Sequence, residues 1–143
     1  MKDSFIKDTK KERAMIPIPA EIEMVGRDVV DAALKVHKAM GPGLLECVYE
    51  ECMFYELAIN RGLHVDRQVD MSICYDGKIL QSRLRLDLLV ERCVILELKA
   101  VENIIPLYEA QLISYLKLTG LRLGYLINFN VPLIKRGIKR MVL

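Results

Sequence analysis

"DLLVERCVILELKA", residues 87–100, decides how this chain is read. Leu88 to Val90 and Val94 to Leu98 form two short aliphatic runs, and Glu91-Arg92 between them reads as a turn. Two buried strands joined by a hairpin are the simplest account. Such strands should be apolar, yet Asp87, Glu97 and Lys99 lie inside them. Charges in a core sheet need a reason, because an unpaired buried charge is costly.

Strand residues alternate faces, so Glu97 and Lys99 project one way and Leu96 and Leu98 the other. A hairpin turning near Arg92 sets Asp87 across from Glu97 on that same face. Directly opposed carboxylates repel unless a cation lies between them. Two hard oxygen ligands on neighbouring strands suit Mg²⁺ or Mn²⁺. A lysine two residues beyond can orient a water or stabilise charge on a phosphate. The bare pattern [DE]-x-K carries no weight, since it recurs at Asp8-Thr9-Lys10 in a charged stretch and at Asp76-Gly77-Lys78 in a turn. The copy at 97–99 differs in its apolar flanks and its acidic partner ten residues upstream. A metal site and a structural Asp–Lys–Glu cluster both satisfy this local pattern, the second at a desolvation cost.

Outward from this hairpin, the N-terminal side alternates as a strand over "LHVDRQVDMSICY", with Val65, Arg67, Val69, Met71, Ile73 and Tyr75 on one face. Asp76-Gly77 is a strong hairpin turn. Before it, Pro17 and Pro19 exclude helix ahead of residue 20, and Ile22, Val25, Val29, Ala32, Ala33, Val36 and Met40 then form a helical stripe. "GPG" (41–43) breaks that helix, and a second follows to Gly62. On the C-terminal side, Pro106 precedes a helix, "LYEAQLISYLKLTG", stopped by Gly120, "RLGYLINF" is a strand, and "PLIKRGIKRMVL" holds a short helical turn and a last edge strand. The expected fold class is α/β (α+β), in the order α-α-β-β-β-α-β plus a short terminal β element, around one central sheet.

At 143 residues the chain is long enough for one domain with its own core, expected over 20–143 behind a charged tail over 1–19. A net charge of +2 does not by itself imply nucleic-acid binding. No apolar run reaches the roughly 18 residues of a membrane span, and the charged N-terminus has no signal-peptide core. Cys47, Cys52, Cys74 and Cys93 contain no C-x-x-C pair, which fits reduced, buried thiols in a cytoplasmic protein rather than a zinc or iron–sulfur site. His37 has no second histidine within helical reach and reads as a boundary residue. Gln111 and Tyr115, four apart, share a helix face, as a functional pair or as an amphipathic boundary pair. Glu46 opens the second helix, where an acid also suits the helix dipole.

Taken together, these segments resemble a known family. "GPGLLECVYEE" is similar to the G-x-x-E-x-x-Y signature (Gly43, Glu46, Tyr49), and "RLDLLVERCVILELKA", "EAQLISYLKLTG" and "LGYLINFN" follow in that family's order. The GxxExxY proteins are classed in the PD-(D/E)XK nuclease superfamily, and the resemblance covers about residues 20–143. It implies a restriction-endonuclease-like core with a central mixed sheet flanked by helices. It also implies Asp87 and Glu97 as metal ligands, the Leu98 carbonyl as a further one, and Lys99 as catalytic lysine. Glu46 would be the acid from the first core helix, completing the coordination or holding a second ion. Gln111 and Tyr115 match the Q-x-x-x-Y motif of RecB-type exonucleases. The cysteines that bind an iron–sulfur cluster in some of those are missing, so that cofactor is not expected.

The implied activity is Mg²⁺- or Mn²⁺-dependent hydrolysis of phosphodiester bonds, in DNA. The alternative is a non-catalytic nucleic-acid- or protein-binding module on the same fold. A hydrolase of another phosphate ester would instead require a closed pocket. Lys135, Arg136, Lys139 and Arg140 in "KRGIKR" are candidate phosphate contacts, or a solvated surface run. So short a chain has little surface to enclose a duplex, which makes a homodimer or a protein partner plausible.

Overall fold

The computed structural model describes residues 16–143. Most of the tail expected over 1–19, with Asp8-Thr9-Lys10, lies outside the described residues. The first helix, α1 (Ala20–Met40), starts where Pro19 releases the chain, and the Pro19 carbonyl accepts the N–H groups of Ile22 and Glu23, each at 3.0 Å. Its buried stripe runs through Gly26, Val29, Ala32, Ala33 and Val36. Met40, expected at the end of that stripe, is 42% exposed. Gly41, at φ +67°, stops the helix.

The second helix, α2 (Glu46–Phe54), runs directly into a wider π-helical turn, Tyr55–Asn60, where a plain α-helix was expected. The wider turn buries two successive residues, Glu56 and Leu57.

The sheet contains β1 (Val65–Tyr75), β2 (Lys78–Val90), β3 (Val94–Lys99), β4 (Leu123–Asn128) and β5 (Ile138–Val142) in spatial order 1-2-3-4-5. Only β3 and β4 are parallel. They are joined by α3 (Pro106–Thr119), because parallel neighbours need a crossover. The result is a mixed α+β architecture with a five-stranded mixed sheet flanked by helices. Val29, Ala32, Tyr49 and Met53 of α1 and α2 pack on one core with Leu88, Leu96 and Leu98. Leu112 and Leu116 of α3 pack on the other with Leu84, Leu86 and Ile95. No described helix is long and apolar enough to cross a membrane.

Alternation along the β1–β2 ribbon is not continuous. Val69, Met71 and Ile73 join the α3-side core, whereas Val65 joins the α1–α2 side. In β2, Leu84 and Leu86 belong to the α3 side and Leu88 and Val90 to the other. The single face expected for β1 is therefore split. Arg67 pairs with Leu88 and Val69 with Leu86, so the change falls where Gln68 faces Asp87. Gln68 has a left-handed backbone, φ +50°. Toward its tip the ribbon leaves the core: Lys78–Arg83 are all exposed, and Tyr75 is 74% exposed.

Both predicted turns are present. Asp76-Gly77 has φ +51° and +73°, and Glu91-Arg92 has φ +50° and +54°. The second turn lacks glycine and is braced, with Cys93 N–H donating to Val90 O and Glu91 N–H to His64 O. A 3₁₀ turn (Ile134–Arg136) precedes the edge strand β5, as the C-terminal reading anticipates.

Candidate active site

The ladder between β2 and β3 ends at the pair Leu88–Leu96. Beyond it, side chains replace the backbone pairing. Leu98 N–H donates to Asp87 Oδ2 at 2.8 Å, and Asp87 N–H donates to Glu97 Oε1 at 3.3 Å. Asp87 and Glu97 thus face each other across the hairpin, as the turn near Arg92 requires.

Burial first and the Asp87 charge next push the Glu97 carboxyl up to about 8, against the Asp87 N–H and Lys99. The Asp87 carboxyl is also raised, first by burial and then by the charge of Glu50, against the Leu98 N–H and Lys99. Two such carboxyls cannot both ionise cheaply, so at neutral pH the pair retains a proton.

Lys99 projects beside them, half-buried, with its ammonium 4.5 Å from the centroid of the Tyr108 ring at the start of α3. It forms no ion pair within 4 Å among the described residues, so its charge acts on the acids from a short distance. Asn128, buried, holds the chain that follows: its amide accepts Val101 N–H and donates to Val101 O.

Glu46 arrives from the other side through Gly43 and Tyr49. Gly43 takes φ +94°, a conformation that favours glycine. The Tyr49 hydroxyl donates to Gly41 O at 2.6 Å and accepts Leu44 N–H at 3.1 Å, which pins the loop before α2. Its ring stacks on Phe129, centroids 4.5 Å apart, and Phe129 N–H donates to Lys99 O. A continuous line of contacts therefore links the Gly43–Tyr49 segment to the end of β3. The Glu46 carboxyl is raised, by partial burial first and by Asp87 next, and Lys99 again opposes.

On α3, Gln111 Nε2 donates to the Tyr115 hydroxyl at 2.7 Å. That hydroxyl is raised, chiefly by burial and then by the Glu97 charge, which places this pair in the field of the same acids.

The structure therefore gathers Glu46, Asp87, Glu97, Leu98, Lys99, Gln111 and Tyr115 at one end of β3. It does not gather the basic run. Lys139 pairs with Glu109 on α3, and Arg140 pairs with Glu23 on α1, so those two bind opposite faces of the sheet. Lys135 and Arg136 are exposed on the 3₁₀ turn. That turn lies at the Lys99 end, since Asn128 pairs with Lys99 and its N–H donates to Gly137 O. His37 is buried, with Nε2 2.8 Å from Val131 O, and serves as a tie between α1 and the loop after β4.

Glu50 was missed by the sequence reading. It is buried one turn after Glu46, and its charge acts on both Asp87 and Glu46. The available signal was the like-charged i, i+4 pair Glu46/Glu50, which an ordinary helix avoids.

Among the described residues, no three His, Cys, Asp or Glu side chains close into a ready-made metal cage. The donors that do converge are carboxyl oxygens, those of buried Glu97 and half-buried Asp87, with the exposed Glu46 in the field of Asp87. That donor set fits a hard divalent cation that keeps several waters, which is how Mg²⁺ is usually held.

A family model described as the PD-(D/E)XK nuclease superfamily matches residues 23–141. No curated protein and no solved structure matches the chain. The match spans most of the sequence, and the chain belongs to the PD-(D/E)XK nuclease superfamily.

Proposed function

We propose that this protein is a divalent-metal-dependent nuclease that hydrolyses phosphodiester bonds in DNA at the β3 end of its sheet. One observation carries the reading: buried Glu97 and half-buried Asp87 face each other across the hairpin, with a lysine two residues beyond. Asp87 and Glu97 would hold the ion, with the Leu98 carbonyl and Glu46 completing the set. The ion would supply an activated water and neutralise charge on the phosphate.

The chain's own residues do the rest. Lys99 stands close enough to the acids to place the attacking water and to stabilise charge growing on the phosphoryl oxygens. The Tyr108 ring holds its ammonium off the carboxylates, which keeps the lysine from closing the site as a salt bridge. Tyr115 and Gln111 offer a hydroxyl and an amide toward the substrate from α3. Lys135 and Arg136 lie at the same end and are the better phosphate contacts of the basic run, since Lys139 and Arg140 are already paired.

A second reading is an interaction module, favoured by the two backbone N–H groups that satisfy the acids without a metal. Titration of Mn²⁺ into wild type and Asp87→Asn, with cleavage of labelled single- and double-stranded DNA on the same samples, separates the two. Binding lost in the variant and metal-dependent cutting by wild type support the nuclease. A folded wild type that neither binds nor cuts leaves the interaction module.

A further inference from the structure

Among the described residues, four non-glycine residues have left-handed backbones. Asp76, Glu91 and Arg92 lie in turns, where that conformation closes the chain. Gln68 lies within β1, where a residue with a Cβ is disfavoured unless its surroundings hold it.

Its surroundings do hold it. Gln68 Nε2 donates to Glu50 Oε1 at 2.9 Å, and Arg67 Nε stands 3.8 Å from that same oxygen. Glu50 is itself buried, on α2, one turn after Glu46. By register Gln68 faces Asp87, and both strands exchange one core for the other at this point. The consequence for Asp87 is geometric. Were the ribbon regular, Leu86 and Leu88 would share a face and Asp87 would project squarely from the other. With the left-handed residue at Gln68 the register is kept on both sides, yet Leu86 and Leu88 lie in different cores. The Asp87 carboxyl instead reaches along the gap between β2 and β3, caps Leu98 N–H and meets Glu97.

We propose that Gln68 and Glu50 are positioning residues for Asp87: Glu50 clamps the Gln68 amide to α2, and the left-handed turn of β1 at Gln68 aims the Asp87 carboxyl at β3. The same clamp ties the helix that presents Glu46 to the strand pair that presents Asp87, so the two acids move together. The catalytic consequence rests on the nuclease reading above, whereas the geometric one does not.

The Leu98 amide reports the geometry directly, because its acceptor is Asp87 Oδ2. Hydrogen exchange at Leu98, referenced to Val94–Leu96, is measured on metal-free wild type, Gln68→Val, Gln68→Gly and Glu50→Gln. Valine removes the amide and resists the left-handed backbone, so Leu98 exchanges about tenfold faster. Glycine keeps the backbone accessible and removes only the tether, so the increase is about threefold. Glu50→Gln retains an acceptor for the Gln68 amide and keeps Leu98 protection near wild type.

Mn²⁺ titration and DNA cleavage on the same samples give the second readout, with the dissociation constant rising about tenfold in Gln68→Val. Wild-type protection of Leu98 in folded Gln68→Val, or in Gln68→Gly should the valine variant not fold, overturns the proposal. If wild type neither binds Mn²⁺ nor cuts, the nuclease reading fails while Leu98 exchange still decides the positioning role.

Discussion

Glu56 and Glu97 are equally buried, each 5% exposed, and they have opposite surroundings. Around Glu56 stand Asn60 Nδ2 at 2.6 Å, Lys35 Nζ at 3.1 Å and Arg61 Nε at 3.4 Å. Burial pushes its carboxyl up, but the hydrogen bonds from Asn60 and Lys35 and the two cations outweigh it, and the net shift is downward. Glu97 meets another carboxyl instead, and its cation, Lys99, is held away on Tyr108. A structural acid brings its counter-charges with it. An acid kept among like charges leaves room for something the protein itself does not supply, and that contrast is the physical case for a cation site at Glu97 and against one at Glu56.

The largest expected effect separates the two nearest lysines. Lys99→Ala should lower metal-dependent DNA cleavage by about 100-fold or more while the melting temperature stays near that of wild type. Lys35→Ala, beside the paired glutamate, should leave cleavage unchanged. Equal cleavage by the two variants would remove Lys99 from the chemistry.

Neutralising each glutamate should act on stability with opposite sign. Glu97→Gln should weaken Mn²⁺ binding by about tenfold or more and stabilise the metal-free protein at pH 8 by roughly 1–3 kcal/mol, because a repelled buried charge is gone. Glu56→Gln should destabilise by about 1–2 kcal/mol, because Lys35 and Arg61 lose their partner. Titration calorimetry and urea unfolding at fixed pH measure both.

The pH dependence follows from the same pair. A Glu97 carboxyl raised from 4.5 to about 8 binds its proton more tightly in the native state. Between those values the unfolded chain has released the proton and the native protein has not. Stability of the metal-free protein therefore falls as pH rises through that window, by at most about 1.4 kcal/mol per unit from this group. Glu56, lowered, has the opposite slope, with its contribution full above about 4.5 and lost as pH falls below it. Denaturant midpoints from pH 3 to 9 should show both limbs, and Glu97→Gln should flatten only the alkaline one.

Away from the two glutamates the expected effects are smaller. Tyr49→Phe leaves Gly41 O and Leu44 N–H without their partner and should cost about 1 kcal/mol, with a loss of cleavage through Glu46. Arg92→Gly relieves a left-handed residue in the β2–β3 turn and should stabilise by about 1 kcal/mol with cleavage retained. Thermal melts paired with the cleavage assay check each.

Asp87, Glu97 and Lys99 were legible as a group because a hairpin is a local object. Its turn is two residues long, its strands alternate, and pairing across it follows from counting. Tyr49 was legible only as part of a recurring pattern, and its work became visible with Phe129, eighty residues away, under its ring. Gln68 was not legible at all, and Glu50 only as the like-charged i, i+4 partner of Glu46. They are joined by a hydrogen bond between α2 and β1, which only the closed fold makes. The basic run was misleading for a similar reason. "KRGIKR" is one cluster in sequence, but in an edge strand Lys139 and Arg140 take opposite faces and meet acids on different helices.

Element types, their order and the three charges in the core strands were settled by local rules: helical and strand periods, proline and glycine at the boundaries, and turn chemistry. Those rules act over a few residues and can be read from the chain in one dimension. Whether each buried acid stands alone, beside a cation or beside another acid depends on contacts between elements far apart in sequence, and on a left-handed residue at Gln68 that no periodicity announces. The electrostatics of a buried carboxyl are set within a few ångströms in every direction, so they became readable only when the sheet and its helices had closed around it.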